Sequence, residues 1–404
     1  MTQHIPRVLE SINEIPAATW NACANPGGAL AHNPFLRHEF LRALEDSGSA
    51  VAATGWRPFH LVLEAAGDCV GVVPMYLKRH SQGEYVFDHA WADAWHRAGG
   101  AYYPKLQISI PFTPASGRRL LARDHDPATR SALLRACIEV AERLGVSSLH
   151  ATFLTEAEWQ AAPAMGCLQR MDQQFHWENR GYASFAEFLG DLAAKKRKNL
   201  KRERRDALAG DIEIEWVTGA DLREHHWDAF HRFYLDTGSR KWGSPYLTRA
   251  FFSAVSETMA EDILLILCRR AGRYIAGALN FIGGDTLYGR NWGCIEDHPF
   301  LHFEACYYQA IDFAIARGLK RVEAGAQGGH KIARGYRPTP TYSLHWIAHA
   351  GFRDAVATYL EDERRYVAQD MEYLRTHGPF RSTLDLGNLQ VPAGTGDRPA
   401  PESP

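Results

Sequence analysis

The sequence predicts an α/β protein of two tandem units, each a mixed sheet flanked by helices. Three segments of the first half recur in the same order in the second, the mark of a duplicated structural unit. PFLRHEFLRAL (34–44) lies over PYLTRAFFSAV (245–255) without a gap. FHLVLEAAGDCVGVVPMYL (59–77) lies over ILLILCRRAGRYIAGALNFI (263–282) with a small indel. ACIEVAERLGVSSLHA (136–151) lies over QAIDFAIARGLKRVEA (309–324).

Each segment has a local reason for its form. The first pair places apolar residues at helical spacing behind Pro34 and Pro245, residues suited to a helix start. The second pair reads as strand, Ala-Gly turn, strand. In the third, a helix ends at Gly145 or Gly318 and a strand follows; Ile138 meets Ile311, Glu139 meets Asp312 and Ala141 meets Ala314. The order helix, hairpin, further strand, helix, strand is that of a GNAT-type acyltransferase fold. FDHAWADAWH (87–96) reads as a helical turn or two, and AAKKRKNLKRERR (193–205) as a basic helix behind the capping-box spelling SFAE (184–187). The expected units are 1–175 and 176–377, the second opening with the basic helix. The Gly- and Pro-rich tail 378–404 is expected to be disordered.

Composition narrows the function classes. The 404 residues suffice for two or three domains with proper cores. With 46% hydrophobic and 23% charged residues the chain is globular, and at a net charge of −2 any anion binding must come from local patches. The N-terminus lacks a basic region followed by an apolar core, so no signal peptide is expected. No apolar run is long enough for a membrane helix. Seven scattered cysteines without CxxC suggest reduced thiols and a cytoplasmic setting. Nineteen histidines show no HExxH or comparable cluster, so no metal is expected.

Further strings, HSQGEYVFDHAWADAW (80–95), YYPKLQISIPFTPASGRRLL (102–121), AGALNFIGGDTLYGRNWGC (276–294), LHFEACYYQAIDFAI (301–315) and VEAGAQGGHKIARGY (322–336), join the helix segment 33–49 and the basic run. Together they resemble the FemAB-like, tandem-GNAT group of predicted N-acyltransferases or peptidoglycan biosynthesis/recognition proteins. The resemblance implies transfer of an acyl group to an amine, from an acyl-CoA thioester or, as the FemAB comparison suggests, from an aminoacyl-tRNA. The family usually has Glu between the glycine and histidine of GAQGxHK, where this chain has Gly329. Loss of that Glu makes a non-catalytic binding protein a third reading.

The chemistry has named candidates. VEAGAQGGHK (322–331) is neither a Walker loop, because His330 separates Gly329 from Lys331, nor a GxGxxG dinucleotide turn. Burial would raise Glu323 toward the range of a general base. The glycines from Gly325 to Gly329 expose N–H groups for an oxyanion, His330 could take the amine proton, and Lys331 could neutralise a substrate anion. The bland alternative is a glycine turn with a solvated His-Lys pair. For donor phosphates, Gly117, Arg118 and Arg119 of TPASGRR suit the helix start of the first unit. CIEDHPFLHFE (294–304) in the second is acidic and repels them. Tyr288, Arg290 and Trp292 alternate onto one face, either a substrate groove or a half-exposed sheet face. His89 and Asp93 are four apart on the aromatic helix, a base pair or a structural bond, and the resemblance favours Asp93 as substrate-binding. The acceptor would be a small or lipid-like amine. Lys195, Lys196, Arg197, Lys198, Lys201, Arg202, Arg204 and Arg205 form a solvated face, or a surface for tRNA or an anionic membrane, making the protein membrane-peripheral.

Overall fold

The computed structural model describes residues 4–381 except 29, 242–244 and 326–327, and gives no side-chain detail for 239–241. The first half runs β1 (His4–Leu9), α1 (Ala17–Ala24), α2 (His38–Asp46), β2 (Trp56–Pro58), β3 (His60–Ala65), β4 (Asp68–Val73), β5 (Met75–Lys78), α3 (His89–Arg97), β6 (Lys105–Ile108), β7 (Leu121–Ala122), α4 (Pro127–Leu144), β8 (Ser148–Leu154), α5 (Glu156–Ala161) and β9 (Leu168–Glu178). The second runs α6 (Phe185–Asp191), α7 (Ala194–Ala207), β10 (Ile212–Thr218), α8 (Glu224–Lys241), α9 (Arg249–Met259), β11 (Ile263–Arg270), β12 (Arg273–Gly283), β13 (Thr286–Cys294), α10 (Leu301–Phe303), a π-helical turn (Glu304–Tyr308), α11 (Gln309–Ala316), β14 (Arg321–Glu323), β15 (Arg337–Ile347) and α12 (Ala350–Thr376).

The sheets are mixed, as expected. Eleven strands run β10-β11-β12-β13-β14-β9-β15-β8-β6-β5-β2, and four more run β1-β3-β4-β7. Parallel pairing joins β13 to β14 and β6 to β8, one such pair in each unit. The two expected hairpins close through two-residue turns, Ala66-Gly67 and Ala271-Gly272, with positive φ at all four residues. That geometry matches the twist of the flanking strands. In the first unit the hairpin's second strand is cut at Pro74, which has no N–H for the ladder. The chain steps there from β4 in the small sheet to β5 in the large one, whereas β12 continues unbroken for 11 residues.

The centre of the large sheet is an exchange. β9, from the end of the first half, pairs with β14 of the second, and β15, from the end of the second, pairs with β8 of the first. β9 and β15 pair with each other antiparallel from Arg337↔His176 to His345↔Leu168. β9 runs unbroken across the expected division between 175 and 176.

One core spans both halves. α2 and α9 face each other, and the equivalent residues Phe40 and Phe251 meet edge to face at 5.7 Å. Phe35 packs on Phe281 and Tyr288 at 5.2 and 5.1 Å. Burial of each such ring contributes about 2–3 kcal/mol.

Several local expectations are corrected. Pro34 opens a 3-10 turn and α2 begins at His38; α9 begins at Arg249 behind a Thr248 cap. Ser184 caps the short α6, and the basic α7 starts separately after Leu192 and Ala193. Of the tail expected to be disordered, 382–404 lie outside the described residues, while Phe380 is placed and bridges Leu192.

Candidate active site

β14 is three residues long and pairs with β13 only at Thr286↔Arg321, Leu287↔Val322 and Tyr288↔Glu323. Beyond that point β13 continues to Cys294, and its register against β12 slips so that Asn280 faces Gly289 while Leu279 faces Asn291. Arg290 is the extra residue of this bulge. Bulges bend and twist a strand, and here β13 runs on where β14 has stopped. A cleft of about 590 Å³ lies beside the opening. Its walls come from both halves: Tyr85, Phe87 and Pro114 from the first, Tyr246, Arg290 and Gly325 from the second.

Glu323 closes β14 between Tyr288 on one side and His176 of β9 on the other. It is buried, its Oε2 has no hydrogen-bond partner, and the nearest His176 nitrogen is 3.9 Å away. Burial pushes its carboxyl up to about 7, against the pull of Arg321, the Ser116 backbone N–H, Arg290 and Arg119. Burial also drives His176 down to about 3, so that ring is neutral and offers the carboxylate no charge. Ser116 belongs to the TPASGRR turn of the first half. That turn therefore reaches the end of β14.

Its arginines do not behave as expected. α4 starts at Pro127 under an Asp126 cap, so Gly117, Arg118 and Arg119 lie before β7 and do not open that helix. Arg118 donates to the Cys23 and Ala24 carbonyls at the end of α1. Arg119 is buried and donates to the carbonyls of Thr152, Ala115 and Arg118. Gly117 passes against Asn33, whose Nδ2 would lie 2.7 Å from a Cβ there. The turn's cations hold loops together.

The Gly-His-Lys segment divides. Lys331 is buried and donates to the Gly325 carbonyl at 2.9 Å; burial brings its amine down to about 8. His330 is exposed at the start of a 3-10 turn, its Nε2 2.9 Å from the Tyr307 hydroxyl and its ring near Phe303. Burial and then Arg334 lower its pKa. It belongs to the aromatic group around the π-helical turn and does not line the cleft. Ala326 and Gln327, at the middle of the expected oxyanion turn, lie outside the described residues. A Cβ at Gly329 would meet nothing within 4 Å.

The bulge also breaks the expected row on β13. Tyr288 is a core residue against Phe35, Arg290 lines the cleft, and Trp292 lines a separate depression with His302 and Glu296. On α3, His89 lines the cleft, while Asp93 is exposed and forms no hydrogen bond to His89. Trp95 stacks on Phe352 of α12 at 4.8 Å, the aromatic core alternative.

α7 keeps one face inward. Arg204 pairs with Glu304 and Asp312, and Glu203 pairs with Arg334. Arg197, Lys198, Lys201, Arg202 and Arg205 line an open surface groove.

Sequence reasoning missed a buried charge group behind the cleft. Lys78 and Lys105 are opposite each other in the β5–β6 ladder, a costly juxtaposition unless anions intervene. Lys105 donates to Ser81 and Glu84 at 2.8 Å and to Asp88. Against its burial, those carboxylates raise Lys105, which in turn lowers Asp88. Lys78 sits 3.4 Å over the Trp56 ring and burial drives it down to about 7. Burial pushes Glu84 up to about 7. The sequence signal was slight: a Lys at the end of β5, another at the start of β6, and Glu84 and Asp88 in the loop before α3.

Comparison with known proteins agrees with this architecture. The model of the FemAB-like family, described as peptidoglycan biosynthesis/recognition, matches residues 11–382. No curated protein matches the sequence. Among solved structures, the chain is similar to FemX, at 12% identity and a TM-score of 0.52, over 87% of this chain and 100% of that one. It is also similar to L-PGS from Bacillus licheniformis, at 10% identity and a TM-score of 0.48, over 82% and 98%. A tandem GNAT protein from the clavulanic acid biosynthesis pathway matches at 13% identity and a TM-score of 0.44, over 86% and 99%. At 12% identity the likeness to FemX is one of fold. No helix among the described residues is long and apolar enough to cross a membrane.

Proposed function

The chain belongs to the FemAB-like family, and on that premise we propose that it transfers an acyl group to an amine at the cleft between its halves, with Glu323 as the proton acceptor. The observation that carries the reading is Glu323 itself. It is a buried carboxyl with an unpartnered oxygen, placed where β13 and β14 part, and it titrates near 7. At neutral pH an amine arrives largely as an ammonium, and its proton must leave for the C–N bond to form. A carboxyl with that titration is half in its base form there. The aromatic cleft walls suit an amphiphilic amine, such as an amino lipid or a cell-wall precursor.

The donor we propose first is an acyl-CoA thioester. The arginines expected to hold its phosphates do not fit that task, since Arg118 and Arg119 are spent on carbonyls. The second unit's counterpart carries Glu296 and Asp297. An aminoacyl-tRNA donor is the second reading, favoured by the cluster of cations along the α7 groove, which would suit a polyanion with strong salt dependence. The same cations suit peripheral contact with an anionic membrane from the cytoplasmic side.

The test is a melting-temperature and turnover panel of acyl-CoAs against charged and uncharged tRNA, each with an amine acceptor. A true donor raises the melting temperature and supports transfer. Unchanged kcat/KM in Glu323→Gln removes Glu323 as the base. No transfer with any donor favours the non-catalytic binding protein.

A further inference from the structure

Arg290 is half-buried, and no described carboxylate lies within ion-pair distance of it, although Glu323 is near enough to feel its charge. Its one hydrogen bond goes from Nη2 to the Phe112 carbonyl, and its guanidinium lies 5.6 Å from the Phe35 ring. A guanidinium has five N–H donors, so most of them lack a partner among the described residues. Several other arginines are held by the protein itself: Arg119 by three carbonyls, Arg204 by two carboxylates, Arg334 by Glu203 and the His330 carbonyl.

The surroundings point the same way. Among the described residues the cleft lining contains Arg290 and His89 but no aspartate or glutamate; Glu323 lies behind it, two residues before Gly325. Tyr85 and Tyr246 add hydroxyls to the same wall, and burial raises both phenols, so they remain protonated donors. Tyr246 stacks on Phe112 at 4.7 Å. Tyr85, which lines the cleft, and Phe112, whose carbonyl accepts from Arg290, both hold positive φ, at 58° and 57°. Such backbone costs about 1–3 kcal/mol per residue and collects at ligand sites.

We propose that the cleft between the halves recognises an oxyanion group, a carboxylate or a phosphate, with Arg290 as its anchor and the rings of Tyr85, Phe87 and Tyr246 around the apolar part of the same molecule. This rests on the placement of acyl transfer in this cleft and narrows the acceptor to an amine that also carries a negative group.

Calorimetric titration with four probes of similar size tests it: phenyl phosphate, 3-phenylpropionate, 3-phenylpropanol and phenethylamine. At least one anion should bind the native protein tenfold or more tighter than the alcohol, and the tighter anion identifies the group. Arg290→Gln should bring that anion and the alcohol within about twofold, with Arg290→Lys between. Tyr246→Ala should weaken anion and alcohol alike. Equal binding of alcohol and anions, no binding of either anion, or a preference that survives in folded Arg290→Gln would overturn the proposal. The native-protein comparison decides even if Arg290→Gln fails to fold. The two readings fail separately. Anion binding without transfer from any donor removes the acyltransferase and leaves this site. Equal kcat/KM for amines with and without an anionic group removes this site and leaves the acyltransferase.

Discussion

His150 and Glu323 stand at the same place in the two halves. Each follows the last matched helix of its half, lies beside a parallel strand on one side, and faces a histidine of an exchanged strand on the other. His150 faces Gln107 and His345; Glu323 faces Tyr288 and His176. The environments then diverge. His150 Nδ1 meets His345 Nδ1 at 2.6 Å, and its Nε2 lies 2.8 Å from Ser148 and 3.2 Å from Tyr102. Burial drives His150 down to about 3 and His345 well down, so both rings are neutral and bonded. Glu323 is buried as deeply with one oxygen unpartnered. One copy of the fold has closed this position into a network; the other keeps a carboxyl there with one oxygen open.

The comparison can be broken most directly by activity. Glu323→Gln is expected to lower kcat/KM by about 10²–10⁴-fold, and the parent enzyme's rate should rise with pH through about 7. His150→Ala should leave that pH profile in place while costing about 1–3 kcal/mol of stability through its unpaired neighbours. A pH profile that follows His150 and ignores Glu323 would reverse the assignment.

The shared core sharpens it next. Phe40→Ala and Phe251→Ala should each cost about 3–5 kcal/mol by denaturant unfolding. Their double mutant should reveal a coupling of about 0.5–1.5 kcal/mol, because the equivalent rings touch each other. Strict additivity would mean that the halves do not depend on this contact.

Stability against pH comes third. Below the ordinary glutamate pKa of 4.5, native and unfolded chains both hold the Glu323 proton. Between there and about 7 only the native protein holds it, and the stabilising contribution is lost as pH rises through about 7. Glu323→Gln, which mimics the neutral acid, should gain up to about 3 kcal/mol over the parent between about pH 5 and about pH 8. A difference that does not change with pH would place Glu323 in a solvated setting.

The smallest effect concerns the missing family carboxylate. Space is open at Gly329 and its φ is ordinary, so Gly329→Glu should change stability by no more than about 0.5 kcal/mol. A large gain in turnover from that variant would shift the base away from Glu323.

The three repeats were legible because they rest on nearest-neighbour rules. Apolar spacing made α2 and α9, and the Ala-Gly pairs made the two hairpin turns. Glu323 was legible as a carboxylate after a buried run. Arg118 and Arg119 were misread because short-range spelling cannot tell a phosphate cradle from a loop staple; that depends on which carbonyls fold up beside them. The row Tyr288, Arg290 and Trp292 failed for a similar reason. A bulge is invisible in strand alternation, and it sent the three side chains to a core, a cleft and a second depression. The Lys78–Lys105 group escaped because its members are scattered over three strings whose pairing is long-range.

By itself, the sequence determined that the chain is a duplicated α/β protein and where its repeated helices and two hairpins fall, since periodicity and turn residues act over a few neighbours. Only the tertiary structure decided that β9 and β15 change places, that Arg290 lines a cleft shared by the halves, and that burial moves a carboxyl and a histidine at equivalent positions in opposite directions. Strand partners and burial are set by residues far apart in the chain, and it is burial that shifts a proton's affinity.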